Sequence, residues 1–167
     1  MIRRYRAGDA DAVGRVHRRA LQDAGTDPAD VPGNQDLRWI EETFLRSGGE
    51  FLVAEQDGRI VACGGLLIDG RTAELMRIAV DPDAQREGFG SAILAGLEAA
   101  ASDRGCDRVV LTTAGRQVAA TQFYHDHGYE RRELRQVNGY ELIDFEKSLP
   151  QTRVATKGRP PNGNRTD

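Results

Sequence analysis

Leu75-Met76-Arg77-Ile78-Ala79-Val80-Asp81-Pro82-Asp83-Ala84-Gln85-Arg86-Glu87-Gly88-Phe89-Gly90-Ser91 runs from an apolar strand pattern, through a proline turn, into a glycine loop. Ala92 to Ala100 then continues as a helix rich in Ala, Leu and Ile. A strand, a glycine loop and a helix start make an anion site. Glycine lets backbone N–H groups approach a phosphate without a Cβ in the way. The first helical turn adds unsatisfied N–H donors at the positive end of the helix dipole. The stretch therefore points to a phosphorylated cofactor. A Walker A loop is excluded, because no Lys follows Gly88-Phe89-Gly90. A dinucleotide loop needs a third glycine after an early strand, and it too is absent.

Working outward, turn and cap signals divide the chain. Residues 2–6 suit a short strand, and Asp9 is placed to cap a helix from Ala10 to Ala24, with Val13, Val16, Ala20 and Leu21 on one face. Pro28 and Pro32 mark a loop. A second helix is predicted from Asn34 or Asp36, with Leu37, Ile40, Phe44 and Leu45 on one face and Gly48-Gly49 as its stop. Phe51–Glu55 and Ile60–Ile68 read as strands joined at Asp57-Gly58, and Asp69-Gly70 turns the chain into Ala73–Val80. After the glycine loop come a helix from Ser91 to Asp103, a strand Val109–Thr112 of the fully buried kind, and a helix from Gln117 to His127. Strands 130–137 and 140–146 follow, joined by Asn138-Gly139. The order is β, α, α, β, β, β, α, β, α, β, β: one mixed α/β sheet with a single domain at 1–149.

Composition narrows the class. The 167 residues carry a net charge of −3, which gives no electrostatic case for nucleic acid. Residues 150–167 hold Pro160-Pro161, no aromatic residue and a charge of +3 (four Lys or Arg less Asp167), so the domain before this polar, flexible tail carries −6. Cys63 and Cys106 are too few for a disulfide framework or a metal site, so no metal is expected. The N-terminus lacks the apolar core of a signal peptide, and no apolar run nears the roughly 20 residues of a membrane helix. A cytoplasmic protein with no membrane or nucleic-acid partner is expected.

The glycine loop fits the Q/R-x-x-G-x-G/A pattern of the GNAT superfamily of acetyl-CoA-dependent N-acetyltransferases at Gln85, Gly88 and Gly90. Ala120-Thr121-Gln122-Phe123-Tyr124-His125-Asp126-His127-Gly128-Tyr129 resembles the family's A-x-x-F-Y-x-x-x-G-[FY] segment, and the strand between the two motifs also matches. The resemblance covers residues 2–147 in element order and 72–130 in motif detail. It implies an α/β fold with a mixed, mostly antiparallel sheet of six to seven strands flanked by four helices.

The resemblance also implies roles. Backbone amides of Gln85, Arg86, Glu87, Gly88, Phe89, Gly90 and Ser91 would hold the acetyl-CoA diphosphate, with Glu87 facing solvent and Arg86 turned to phosphate. Ile78, Ala79 and Val80 would bind the pantetheine arm, in a cleft that a bulge opens. Tyr124 aligns with the family's general acid; a helix tyrosine is otherwise a half-buried packing residue. Glu74 stands where several members place a general base; a strand-edge Glu is otherwise solvated. Simple alternation puts Glu74 on the side of Met76, Ile78 and Val80. His125 and His127 are read as solvated. The acidic loop from Asp23 to Asp36, with Asp27 and Asp30, mildly favours a cationic acceptor that Trp39 would wall. The expected reaction is direct acetyl transfer to a primary amine of a small molecule or peptide, and the alternative is a non-catalytic acyl-CoA sensor. A homodimer through the last strands is implied by analogy alone.

Overall fold

In the computed structural model, which describes residues 1–25, 34–114 and 117–150, one seven-stranded sheet separates two layers of helix. The elements are β1 (Ile2–Arg4), α1 (Ala10–Asp23), β2 (Glu50–Gln56), β3 (Arg59–Asp69), β4 (Thr72–Val80), α2 (Phe89–Asp103), β5 (Arg108–Ala114), α3 (Val118–Asp126), β6 (Glu130–Val137) and β7 (Tyr140–Ser148). Strand order across the sheet is β1-β2-β3-β4-β5-β7-β6. Every neighbouring pair is antiparallel except β4–β5, which is parallel with α2 as its crossover. The expected architecture is present, with α1, α2, α3 and an irregular helical segment as its four helices. Residues 151–167 lie outside the described residues, and so does the proposed tail with them.

Two apolar cores flank the sheet. Leu94, Leu97 and Ala101 of α2 and Tyr124 of α3 pack on Leu66, Leu75, Val109 and Phe145. Val13 and Val16 of α1, with Ile40 and Phe44, pack on Phe51, Val53 and Cys63. The tight turns behave as their residues demand. Asp57-Gly58 and Asn138-Gly139 both have two successive positive φ angles (54° and 77°; 51° and 82°), the signature of a type I′ hairpin turn.

Local readings fail in three places. The segment read as a second helix keeps its apolar face but winds as a 3-10 turn over Asn34–Trp39 and a wider π turn over Glu41–Leu45. Trp39 is 59% exposed and belongs to neither core. Strand β5 alternates instead of being buried throughout. Val109 and Leu111 face the core, while Arg108 and Thr112 are exposed on a side that no helix among the described residues covers. That side carries paired polar groups: Thr112 donates to Asp144 at 2.6 Å, Arg135 grips the same carboxylate at 2.9 Å, and Arg108 donates to Glu146 at 3.1 Å.

Asp9 does not cap α1 through its side chain. Its carboxylate accepts from the Arg6 N–H at 2.8 Å, one turn earlier, and from both terminal nitrogens of Arg3 at 2.8 and 2.9 Å. The Arg3 hydrogen bonds, opposed by burial and helped by the Arg6 amide, hold the Asp9 carboxyl below its usual range. A lowered carboxyl stabilises the fold above its unfolded pKa and stops doing so as pH falls through the folded value. Asp9→Asn is expected to cost about 1–3 kcal/mol at pH 7 and progressively less below about pH 4, read from urea midpoints at each pH.

Candidate active site

The cleft follows from one extra residue. Cys63 pairs with Ala79 and Gly65 with Met76, so Arg77 and Ile78 together oppose Gly64. This is a β-bulge, and Arg77 takes φ 60° to make it. Gly64 permits it: a Cβ there would lie 2.7 Å from Ile93 and 3.0 Å from Ile78. The buried Cys63 thiol donates to the Arg77 carbonyl at 3.5 Å. Pairing between β4 and β5 is confined to Thr72–Glu74 against Arg108–Val110. From Leu75 and Leu111 onward the strands part, while β5 stays paired to β7 along its whole length. A sheet split in this way leaves one strand edge with backbone groups free for a ligand. Ile78, Ala79 and Val80 lie on that diverging stretch.

The bulge also inverts the alternation. Ile78 and Val80 pack with α2 and α3, whereas Met76 and Ala79 pack on the α1 side. Glu74 therefore shares a face with Met76 and Ala79, opposite Ile78 and Val80, which corrects the parity expected from the sequence. An open groove of about 520 Å³ lies on that face, between the helical segment and the β3–β4 hairpin. Thr43, Ser47, Leu67, Asp69, Glu74 and Val110 line it. Glu74 is exposed there, on the last paired rung before the cleft. Among the described residues, neither Asp69 nor Glu74 is in an ion pair.

At the far end of the cleft, Gly88 has φ 89° and forms the N-cap of α2, with open space where a Cβ would stand. The N–H groups of Phe89, Gly90 and Ser91 have no backbone acceptor among the described residues, and Gly88 offers no side-chain cap. An anion fits these orphan donors. Gln85, Arg86, Glu87 and Gly88 are all exposed. Glu87 faces outward and accepts from Gln56 at 3.2 Å, and Gln85 donates to Asp23 at 3.3 Å. Arg86 has φ 66°, so this short loop holds two left-handed residues, Arg86 and Gly88, on either side of Glu87 before the helix.

Tyr124 sits on the opposite side of the sheet from Glu74, 8% exposed, ringed by Phe123, Tyr129 and Phe145. Its hydroxyl has no hydrogen-bond partner among the described residues, and burial raises its pKa well above the usual phenol value. A neutral O–H set in this aromatic wall is able to donate a proton. His125 is exposed as read, but His127 is not merely solvated. It bonds Ser91 and the Phe123 carbonyl. Nothing in the sequence spacing couples residues 91 and 127, so this contact was missed. The cysteines offer no nucleophile: burial pushes the Cys63 thiol up to about 12 and raises Cys106 too. Asp27 and Asp30 of the acidic loop lie outside the described residues.

Residues 16–129 match the model of the acetyltransferase (GNAT) family. The chain belongs to the GNAT acetyltransferase family. It is 32% identical over 109 residues to the ribosomal protein bS18-alanine N-acetyltransferase of Escherichia coli strain K12, a stretch covering 64% of this chain and 73% of that protein. It is also 32% identical over 80 residues to the Bacillus subtilis protein YdhI, covering 48% of this chain and only 49% of that one. Among solved structures, a GNAT acetyltransferase from Staphylococcus aureus Mu50 superposes with a TM-score of 0.80 at 19% identity, over 90% of this chain and 99% of that one. The Salmonella typhimurium protein yncA, a putative acetyltransferase with its cofactor acetyl-CoA, superposes at 0.74 and 21% identity, over 90% and 94%. This GNAT domain thus shares its fold with enzymes whose sequences have diverged widely. No helix among its described residues is long and apolar enough to cross a membrane.

Proposed function

We propose that the protein transfers an acetyl group from acetyl-CoA to a primary amine of a small molecule or peptide, by direct attack within a ternary complex. One observation carries the reading: the β4–β5 split joins the orphan amides of α2 at one end to Glu74 at the other, with Tyr124 on the sheet's opposite face. The Gln85–Ser91 loop and first helical turn would hold the diphosphate, and Ile78, Ala79 and Val80 would hold the pantetheine arm. When bound, acetyl-CoA supplies an activated thioester. The chain supplies the proton traffic. Glu74 takes a proton from the ammonium and, being exposed, returns it to water. Tyr124 keeps its proton at neutral pH, gives it to the departing sulfur and regains one from solvent before the next turnover. With both thiols buried and raised, a covalent acyl-enzyme has no candidate residue.

The groove favours a cationic acceptor, since Asp69 and Glu74 stand over an apolar floor that includes Leu67 and Val110. The relative named as a ribosomal protein bS18-alanine N-acetyltransferase supports an amine acceptor. Calorimetry with acetyl-CoA tests the cofactor, and an amine panel read by free thiol release tests the reaction. Absence of acetyl-CoA binding overturns the reading. Glu74→Gln is expected to lower kcat/KM by about 100-fold below the amine's pKa and to recover as pH rises. Equal loss at every pH would make Glu74 a binding group only.

A further inference from the structure

We propose that His127 links cofactor binding to proton uptake: its imidazole gains a proton as a diphosphate seats on the first turn of α2, and Ser91 passes that gain to the phosphate as a hydrogen bond. The inference rests on the acetyl-CoA reading above. His127 Nδ1 lies 2.7 Å from the Phe123 carbonyl oxygen. A carbonyl only accepts, so Nδ1 carries the hydrogen. His127 Nε2 lies 2.8 Å from Ser91 Oγ. In the neutral ring Nε2 is then a bare lone pair, and the Ser91 hydroxyl donates to it.

Ser91 belongs to the first turn of α2, beside the orphan N–H groups of Phe89 and Gly90. An ionised phosphate oxygen also needs a donor. One hydroxyl hydrogen cannot serve both acceptors, so neutral His127 competes with the phosphate for it. If Nε2 takes a proton from solvent, the bond reverses: Nε2–H donates to Ser91 Oγ, and the Ser91 O–H is freed to donate to the phosphate. Only one proton is added, and it stays on the ring. The Nδ1–H bond to Phe123 is unchanged in both states, so the ring does not turn.

The surroundings leave the incoming anion as the largest new charge on this ring. From β7, Lys147 donates to the His127 carbonyl at 3.0 Å, but its charge is met by Glu98 of α2 at 3.1 Å. Tyr129 donates to the same Glu98 at 2.7 Å. Asp126 is engaged by Gln122 at 2.8 Å, His125 is exposed, and the Phe123 ring lies 4.3 Å away. On the loop, Arg86 and Glu87 are opposite in sign and both exposed. A diphosphate close to Ser91 therefore favours the imidazolium by charge and by hydrogen bonding together.

Calorimetry of acetyl-CoA without acceptor, in MOPS and in Tris at one pH, reads the protons taken up. Wild type is expected to take up protons on binding, with affinity falling as pH rises. The 3′-phosphate of the cofactor titrates equally in every variant and cancels in the comparison. His127→Gln should lose the uptake, and Ser91→Ala should reduce it, because that variant keeps the imidazole, its bond to Phe123 and the pull of the phosphate charge but not the hydroxyl relay. In ring-nitrogen NMR, wild-type His127 should pass from the Nδ1–H tautomer to the doubly protonated ring on binding. Equal uptake in wild type and His127→Gln, or a His127 spectrum that acetyl-CoA does not move, overturns the proposal. Failure of wild type to bind acetyl-CoA at all overturns instead the cofactor reading beneath it.

Discussion

Tyr124→Phe is expected to lower kcat by about 100-fold or more while leaving acetyl-CoA affinity within about twofold of wild type. The two halves of that expectation have separate causes. The ring fills the space between Phe123, Tyr129 and Phe145, and phenylalanine keeps that packing. Only the hydroxyl is lost, and unlike the Tyr129 hydroxyl, which donates to Glu98, it is free to hand a proton to a sulfur leaving group. Stability gives a third readout. A hydroxyl with no partner among the described residues brings the folded state little hydrogen-bond energy. The variant should be as stable as wild type or more so by up to about 1 kcal/mol. Lower turnover at undiminished stability marks a group kept for chemistry. If turnover survives and the melting temperature falls, Tyr124 is a packing residue and the proton reaches sulfur through water. Free thiol release, calorimetry and thermal melts on one preparation decide between these.

What could be read in advance was whatever a few adjacent residues decide. Gly88, Asn138-Gly139 and Asp57-Gly58 adopt left-handed backbone because their residues tolerate it, and the strands and helices fall between such markers. The family motif placed the loop and Tyr124 on the correct elements. What escaped depends on partners distant in sequence. The bulge is set by Gly64, Ile93 and Cys63 acting on Arg77, and one extra residue moved Glu74 to the other face. Val109–Thr112 reads as a strand buried on both sides because its residues are apolar or β-branched. The Thr112–Asp144–Arg135 network that covers its outer face is built from β6 and β7. Asp9 sits where a helix cap belongs, yet the Arg3 fork draws it off. In each case the local preference was real, and a tertiary contact outweighed it.

His17 provides the other large effect. Its imidazole is 6% exposed on α1, beside the buried Val13 and Val16. Burial, assisted by the nearby positive charge of Arg77, lowers it from 6.5 to about 4. The folded protein therefore holds it neutral, while the unfolded chain protonates it in mild acid. Stability from this group is fully present above the unfolded value and is lost as pH falls toward the folded one. Over the interval from 6.5 to about 4, the loss amounts to about 3 kcal/mol at about 1.4 kcal/mol per pH unit. Lowered carboxyls such as Asp9 and Asp144 act further down, where carboxylates take up protons. His17→Leu, which keeps the side chain's bulk without its basic nitrogen, is expected to flatten urea stability between pH 6.5 and about 4.5. Protonating wild-type His17 places a second cation against Arg77, at the residue whose φ of 60° makes the bulge. Acid should then weaken the protein first at the strand that opens the cleft, with hydrogen exchange rising at Ile78 and Ala79 ahead of β7. Parallel stability curves for wild type and His17→Leu, or exchange that rises uniformly across the sheet, would show that His17 is not the group acid attacks first.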